Sequence, residues 1–140
     1  MNVSRYMTQK LITTSPEVSA KEAFFLMRNH EVRHIPVVDG GELVGIISDR
    51  DLRRPRWAEH VDDWTLYYQL DDEHRVADVM TLNPETVRAS DDIQKAVRIF
   101  QDRRFGALPV LNKDGELVGI LSAVDLLEAL GELLAGKKNG

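Results

Sequence analysis

The stretch GELVGIISDRDL, residues 41–52, occurs a second time as GELVGILSAVDL, residues 115–126. Nine of the twelve positions are identical, and both copies keep a glycine, two apolar residues, a serine and, three positions after the serine, an aspartate. An internal repeat of this kind indicates one structural unit used twice. The copies differ between the serine and the aspartate, where Asp49 and Arg50 are charged and Ala123 and Val124 are apolar.

The repeat extends toward the N-terminus of each copy. Equivalent residues lie 73 positions apart before the turn and 74 positions apart after it, because LNKDGEL is one residue longer than VDGGEL. The matching pairs are Met7 and Met80, Ala23 and Ala96, Pro36 and Pro109, Gly45 and Gly119, and Asp51 and Asp125. The sequence therefore predicts a first repeat over residues 1–52, a connector over 53–75, a second repeat over 76–130 and a C-terminal tail over 131–140.

Each repeat is predicted to contain a strand, a helix, two further strands and a closing helix. LITT, residues 11–14, is predicted as the first strand, and Ser19 with Glu22 forms the capping-box pattern of a helix start. In the second repeat, the apolar residues of 93–100 recur at the spacing of an amphipathic helix. The pattern predicts a mixed α/β protein of the α+β class, built from two β-α-β-β-α repeats.

The two strands before each closing helix are predicted to form a hairpin. HIPVVDGGELVGIIS and ALPVLNKDGELVGILS each contain two apolar runs around a glycine-containing turn, which is typical of antiparallel pairing. Ser48 and Ser122 end these hairpins and can cap the helix that follows. A hydroxyl and a carboxylate are thus predicted at the start of each closing helix.

The composition limits the possible functions. The chain has 140 residues, 43% of them hydrophobic and 29% charged, as in a globular protein that buries one ordinary core. It has no cysteine, which excludes disulfides and cysteine-ligated metals, and its four histidines lack metal-site spacing, so no structural metal is predicted. A net charge of −5 argues against nucleic acid and membrane partners. Without a leader pattern or an apolar run of roughly 18 residues, a cytoplasmic location is predicted.

The connector, RRPRWAEHVDDWTLYYQLDDEHR, belongs to neither repeat. It contains both tryptophans and two of the three tyrosines, so it is expected to pack rather than to form a loose tether. Two alternatives stay open: a helix-containing cover of the repeat core, or a surface that contacts a second subunit or closes over a ligand. The four arginines from Arg50 to Arg56 form a basic patch, for which phosphate contact is favoured over nucleic-acid binding.

The leading V-x-x-h-M-T, the central h-P-V and the closing G-h-h-S-x-x-D each occur twice. In these motifs the chain resembles a tandem pair of CBS domains, the cystathionine beta-synthase type, as found in stand-alone regulatory proteins of bacteria and archaea. The resemblance implies two repeats packed through their sheets around a pseudo-two-fold axis, with two clefts between them. It implies an adenosine-containing regulatory ligand, AMP, ADP, ATP or S-adenosylmethionine, and no catalytic cofactor. It also implies a homodimer shaped as a four-repeat disc and an unknown protein partner that reads the bound state.

The resemblance also assigns residues to the clefts, each taking its serine and aspartate from one repeat and its other walls from the other. The first cleft would contain Ser122, Asp125, Ile120, Val3, Met7, Arg33, His34, Ile35 and Pro36. The second would contain Ser48, Asp51, Ile46, Arg50, Val76, Met80, Gly106, Ala107, Leu108 and Pro109, with Arg53, Arg54 and Arg75 as further cations.

The residue types suit that ligand. A carboxylate can accept hydrogen bonds from both hydroxyls of a ribose, whereas a serine hydroxyl and helix N–H groups suit phosphate oxygens. A three-residue step on a first helical turn returns the aspartate to the side of the serine. Because Arg33 and His34 are polar where Gly106 and Ala107 are not, the first cleft is predicted to prefer more phosphorylated ligands.

The main prediction is therefore a regulatory module without catalytic residues. Two other functions stay open. One is an enzyme acting on a nucleotide, although the sequence shows no Ser/His/Asp order, metal pair or Walker-type loop. Another is a scaffold with empty clefts that only dimerises. Asp51 and Asp125 have a purely structural alternative as first-turn residues favoured by the helix dipole. Gly45 and Gly119 have one as strand positions that need close backbone approach.

Overall fold

The protein is mixed α/β, as predicted. The computed structural model describes residues 1–103 and 106–139, with side chains up to Gly136. The helices are α1 (Val3–Tyr6), α2 (Ala20–His30), α3 (Asp49–Arg53), α4 (Trp64–Leu70), α5 (Ile93–Arg103) and α6 (Ala123–Asn139), with a 3-10 turn over Val76–Asp78. The strands are β1 (His34–Asp39), β2 (Glu42–Ser48), β3 (Thr81–Leu82), β4 (Val87–Arg88), β5 (Ala107–Leu111) and β6 (Leu117–Ser122). Over these residues, no helix is long and apolar enough to cross a membrane.

The chain divides into two compact units. Residues 12–84 form one, and residues 1–11 together with 85–140 form the other. Each contains a three-stranded sheet, in the order β1-β2-β3 in the 12–84 unit and β4-β5-β6 in the 1–11/85–140 unit. The leading segments are therefore exchanged: residues 1–11 fold with the second repeat's hairpin, and β3 pairs with the first repeat's hairpin.

In the 12–84 unit the predicted hairpin is confirmed. Strands β1 and β2 are antiparallel, and Gly40 and Gly41 make the turn with φ of 58° and 82°, a backbone conformation that favours glycine. Ile35 and Ile47 face each other across the hairpin and are fully buried. Helix α2 packs over this sheet with its core-facing side chains, among them Phe24, since apolar residues recur at helical spacing.

In the 1–11/85–140 unit the second predicted hairpin is confirmed as well. Strands β5 and β6 are antiparallel, and β4 adds a short parallel pairing to β5. Leu108, Val110 and Leu121 are fully buried, and Val3 from the leading segment joins the same core. A residue only three positions from the start of the chain thus contributes to the interior of this unit.

The predicted strand over residues 11–14 is wrong in its extent. Only Thr14 pairs, in an isolated parallel bridge with Val37, where its N–H donates to Pro36 O at 3.1 Å and its carbonyl accepts from Val38 N at 2.8 Å. Pro16 has no N–H with which to continue such a ladder, so the pairing stops. The equivalent segment of the second repeat forms β4, which is also just two residues long.

The predicted tail is part of a helix. Residues 131–139 continue α6 as far as Asn139, and Gly140 lies outside the described residues.

The connector contains a helix that packs on the first repeat. Helix α4 places Tyr68 in the core of the 12–84 unit, stacked on Phe24 at a centroid distance of 4.7 Å. The expectation that the connector packs is confirmed, and it covers the first repeat's core.

Candidate ligand-binding site

The first Ser-x-x-Asp motif lies where β2 passes into α3. Ser48 is the N-cap of that helix, and its Oγ accepts a hydrogen bond from the Asp51 N–H at 3.0 Å. In return, Asp51 Oδ2 accepts the Ser48 N–H at 2.9 Å. This reciprocal pair is a capping box with aspartate in the place usually taken by glutamate or glutamine.

The second motif has the same geometry where β6 passes into α6. Asp125 N–H donates to Ser122 Oγ at 3.2 Å, and Ser122 N–H donates to Asp125 Oδ2 at 2.8 Å. All four side chains of the two motifs are half-buried. The two copies thus hold a hydroxyl and a carboxylate in the same fixed arrangement, despite the different residues between them.

The capping boxes leave binding capacity at each motif. They use Oδ2 of the aspartate and a lone pair of the serine, so neither Oδ1 nor the serine O–H is required by the box. Oδ1, with the second lone pair of Oδ2, can accept from two neighbouring hydroxyls. The serine O–H can donate to an oxygen beside the positive end of the helix. The arrangement can therefore bind a diol and an anionic oxygen at fixed positions.

Each motif glycine lies against the methionine of a leading segment. A Cβ at Gly45 would be 2.8 Å from Thr81 O and 3.1 Å from Met80 Sδ. A Cβ at Gly119 would be 2.8 Å from Met7 Sδ and 3.0 Å from Thr8 O. The glycines thus let the M-T pair of each leading segment approach β2 and β6, which agrees with their structural alternative.

The structure brings part of each predicted cleft together. The 1–11/85–140 unit contains Ser122, Asp125, Ile120, Val3 and Met7, and the 12–84 unit contains Ser48, Asp51, Ile46, Arg50, Val76 and Met80. The central segments belong to the opposite groups: Arg33, His34, Ile35 and Pro36 lie in the 12–84 unit, and Gly106, Ala107, Leu108 and Pro109 in the other. Their assignment to the motif of the other repeat stays a prediction.

Within its own unit, each central segment lies beside the motif of the same repeat. His34 pairs with Ser48 across the first hairpin, and Ala107 pairs with Ser122 across the second. The Asp49 N–H donates to Arg33 O at 2.8 Å, and the Ala123 N–H donates to Gly106 O at 3.2 Å. The start of each closing helix is therefore tied to the residue just before the first hairpin strand.

His34, beside the first motif, has a shifted pKa. Burial lowers its pKa below the usual 6.5; Asp51 opposes the shift and Arg33 reinforces it. The imidazole is therefore neutral at pH 7, with one nitrogen able to donate and the other able to accept. It can contact a ligand bound at Ser48 and Asp51 without adding a full positive charge.

A groove of about 780 Å³ opens beside α2 and α3 in the 12–84 unit. It is lined by Phe24, Met27, Arg28, Glu31, Val32, Arg33, Asp49 and Arg53. Arg53, predicted as a cation for a phosphate, pairs with Asp49 at 3.0 Å. Exposed pairs of this kind contribute little to stability, so a ligand anion can replace the carboxylate at small cost.

The reciprocal hydrogen bonding of the two motifs was not predicted. The serine was predicted as a cap and the aspartate as a ligand group or a first-turn residue, whereas Oδ2 of the aspartate also accepts the serine N–H and completes the cap. The signal was present, because serine followed three residues later by an acidic side chain is itself a capping-box pattern. The contacts between the methionines and the glycines had no such signal, since they join segments about 35 to 110 residues apart.

The sequence profile of the CBS domain matches this chain twice, over residues 3–56 and 76–132. The chain therefore belongs to the CBS domain family, and its resemblance to a tandem pair is confirmed.

Known proteins resemble this chain in sequence, in fold or in both. A CBS domain-containing protein of Dictyostelium discoideum is 32% identical over 137 residues, which cover 94% of this chain and 92% of that protein. The crystal structure of CBSX2 in complex with AMP has a TM-score of 0.77 at 30% identity, covering 94% of this chain and 97% of that one. CBSX2 is a CBS-pair protein of Arabidopsis thaliana. The CBS domain pair of protein MJ0100, in complex with 5′-methylthioadenosine and S-adenosyl-L-methionine, shares the fold with a TM-score of 0.75 at 22% identity, covering 94% and 97% of the two chains.

Proposed function

We propose that this protein is a regulatory module that binds an adenosine-containing ligand through its Ser-x-x-Asp motifs and passes the bound state to a separate protein partner. The observation that carries the proposal is the duplicated capping box, which fixes a carboxylate and a hydroxyl at two helix starts. A carboxylate and a hydroxyl held in fixed positions bind a ligand more tightly than mobile groups, because less conformational freedom is lost on binding.

The ligand class follows from the groups that each motif offers. The carboxylate oxygens outside the box suit the adjacent hydroxyls of a ribose, and the serine O–H with the helix start suits a phosphate oxygen. CBSX2, 30% identical to this chain, has been crystallised with AMP, which supports an adenine nucleotide here. AMP, ADP, ATP and S-adenosylmethionine are therefore the compounds to compare first.

Isothermal titration calorimetry with AMP and S-adenosylmethionine tests the site. Asp51→Asn and Asp125→Asn keep an amide oxygen that can accept the serine N–H, but their amide NH₂ cannot accept from a ribose hydroxyl. Losing a hydrogen bond to a charged group costs about 1.5–3 kcal/mol. The affinity of the affected motif should therefore fall roughly 10- to 150-fold.

Asp63→Asn is the matched control, because Asp63 also caps a helix start, accepting from the Leu66 N–H at 3.2 Å, outside both motifs. Its AMP affinity should equal that of the wild type. Equal AMP affinities for all three variants would show that the Ser-x-x-Asp motifs do not bind the ligand.

The fate of the ligand separates the remaining alternatives. Ligand recovered chemically unchanged after prolonged incubation supports a receptor, whereas turnover would favour the enzyme. No binding of any of the four compounds would favour the empty scaffold.

A further inference from the structure

Helix α4 leaves two leucines on the surface of the 12–84 unit. Leu66 and Leu70 are 52% and 74% exposed and lie one turn apart, on the side of α4 opposite Tyr68. Among the described residues of this unit, the one other large apolar side chain that is exposed is Leu82. A single exposed leucine is ordinary, but two stacked on one helix face indicate a contact surface. We call Leu66 and Leu70 the leucine pair.

The connector residues around the leucine pair carry the net negative charge of the protein. Residues 57–74 contain six carboxylates and no lysine or arginine. Since the chain carries −5 in total, its remaining residues sum to +1. Five of the six carboxylates are exposed, and we call them the acidic flanks because they precede and follow α4: Glu59, Asp62, Asp63, Asp72 and Glu73.

The acidic flanks lack cationic partners among the residues that the structure describes. None of the five is in a salt bridge there, whereas the sixth carboxylate, Asp71, is 8% exposed and pairs with His74 at 2.8 Å. Asp72 and Glu73 follow the C-terminal end of α4, where the helix dipole disfavours negative charge. Neither helix stability nor pairing within the chain explains their position, whereas cations from another molecule would.

Helix α4 is also connected to the first Ser-x-x-Asp motif. Asp51 completes the cap of α3, and the carbonyl oxygen of the next residue, Leu52, accepts a hydrogen bond from the Tyr68 hydroxyl of α4. A change at Asp51 that shifts α3 therefore also shifts the acceptor that holds α4. A protein can respond to the state of this motif by contacting α4, without touching the ligand.

We propose that the leucine pair and the acidic flanks bind a basic amphipathic helix of the separate protein partner. Leucines of that helix pack against Leu66 and Leu70, because residues one turn apart form a ridge that fits the groove of another helix. Lysines or arginines beside those leucines meet the acidic flanks. The inference rests on the proposed function for the existence of a partner, and it adds the chemistry of that partner and the surface that it contacts.

Fluorescence anisotropy tests the leucine pair with a labelled helical peptide that has leucines on one face and lysines on the rest. The wild type should bind this Leu/Lys peptide, and Leu66→Ala/Leu70→Ala should raise the dissociation constant at least tenfold. Leu127→Ala/Leu134→Ala is the matched control, because it removes two exposed leucines from α6 and should leave the dissociation constant unchanged. Both variants should keep the melting temperature close to that of the wild type, because exposed side chains contribute little to stability.

Charge variants test the acidic flanks. Asp72→Asn/Glu73→Gln should raise the dissociation constant several-fold at low salt and make binding less sensitive to added salt, because fewer charges attract the peptide. Glu42→Gln/Asp114→Asn removes the same charge beside the two hairpin turns, outside the connector, and should have a smaller effect. A peptide with glutamates in place of the lysines should not bind.

Three results would overturn the proposal: a wild type that does not bind the Leu/Lys peptide, equal dissociation constants for the two leucine variants, or equal effects of the two charge variants. A second copy of the chain, with its basic run from Arg50 to Arg56, is the competing occupant of this surface. Sedimentation should therefore give the same molecular mass for the wild type and for Leu66→Ala/Leu70→Ala. A lower mass for the variant would place a second copy on the leucine pair and would also overturn the proposal.

Calorimetry with AMP separates this inference from the proposed function. Leu66→Ala/Leu70→Ala should bind AMP as the wild type does, because neither leucine is in a motif. If the wild type bound the peptide at the leucine pair but bound none of the four adenosine compounds, the proposed ligand would be wrong and the surface would stand. If AMP bound as expected and the peptide did not, the surface alone would be wrong.

Discussion

Gly45 and Gly119 are glycine because neighbouring atoms leave no room for a side chain, and not because of their own backbone angles. Neither has a positive φ, unlike Gly40, Gly41 and Gly115 in the turns. What excludes a side chain at Gly45 is the carbonyl oxygen of Thr81, 2.8 Å from the position of a Cβ. A backbone oxygen in a paired strand cannot move aside as a flexible side chain can, so this contact has to be relieved by shifting β3.

Gly45→Ala should therefore destabilise the protein by about 1–3 kcal/mol, the usual cost of an overpacked core position. Gly119→Ala should cost less, because its shortest contact, at 2.8 Å, is with the flexible Met7 side chain and Thr8 O is at 3.0 Å. Urea denaturation curves of both variants measure the two values. As a control, Gly136→Ala should be neutral or stabilising by up to about 1 kcal/mol. A Gly45→Ala midpoint equal to that of Gly136→Ala would contradict the close approach.

The sequence was enough to predict which residue types form the site. It was not enough to predict which atom of each side chain makes which hydrogen bond. Serine and aspartate at a helix start follow from the motif and its spacing. That Oδ2 of Asp51 is taken by the Ser48 N–H, leaving Oδ1, depends on the rotamer and on the strand end, which the sequence does not specify. The lowered pKa of His34 arises in the same way, from burial at a hairpin position that only the fold defines.

Helix α4 is the element of the connector that packs on the first repeat. Its seven residues are too few to be stable alone in water, so its packing must hold it. Tyr68 anchors this helix, since it is fully buried, stacks on Phe24 and donates from its hydroxyl to Leu52 O. Burial also raises the pKa of Tyr68, so the hydroxyl stays protonated and keeps donating at neutral pH.

Tyr68→Phe should cost about 1–3 kcal/mol, because it leaves the buried Leu52 carbonyl without its donor. Tyr68→Ala should cost about 3–5 kcal/mol, since the cavity adds to the lost burial. Chemical denaturation measures both, and Leu70→Ala on the same helix is the control, because Leu70 is 74% exposed and its loss should stay within about 0.5 kcal/mol. If Tyr68→Ala lowered the free energy of unfolding no more than Leu70→Ala, the packing of α4 on the first repeat's core would not contribute to stability.

Strongly periodic elements were the predictable part of the fold. Both hairpins and the helices α2 and α5 were predicted because their apolar spacing is regular over enough residues to separate strand from helix. Residues 11–14 were misjudged because a short β-branched run resembles a strand even where only Thr14 finds a partner. The unequal lengths of α3 and α6 were not anticipated, although Pro55 follows α3 closely while α6 meets no proline.

At the scale of the whole molecule, the two units are not the two repeats. The first eleven residues belong to the unit of the second repeat, and β3 belongs to the unit of the first. Each hairpin is thus completed by a segment that lies far from it along the chain. The spacing of the repeats alone could not show that the leading segments are exchanged, because both arrangements give the same sequence pattern. Membership of Val3 and Met7 with Ser122 and Asp125 came instead from the family resemblance.

The exchange gives two reciprocal predictions that use the same chemistry in both units. Val3 and Val76 occupy equivalent positions in the leading segments, and both are fully buried, Val3 with Leu121 and Val76 with Ile47. Each Val→Ala change should lower the free energy of unfolding by about 1–2 kcal/mol, because less apolar surface is buried. Under native conditions, hydrogen exchange measured by mass spectrometry should then rise mainly in β5 and β6 for Val3→Ala, although residue 3 belongs to the first repeat along the sequence. For Val76→Ala it should rise mainly in β1 and β2. Each variant controls for the other, because local opening stays within a cooperative unit. If Val3→Ala loosened β1 and β2 while leaving β6 protected, each leading segment would fold with the repeat that it begins, and the exchange would be wrong.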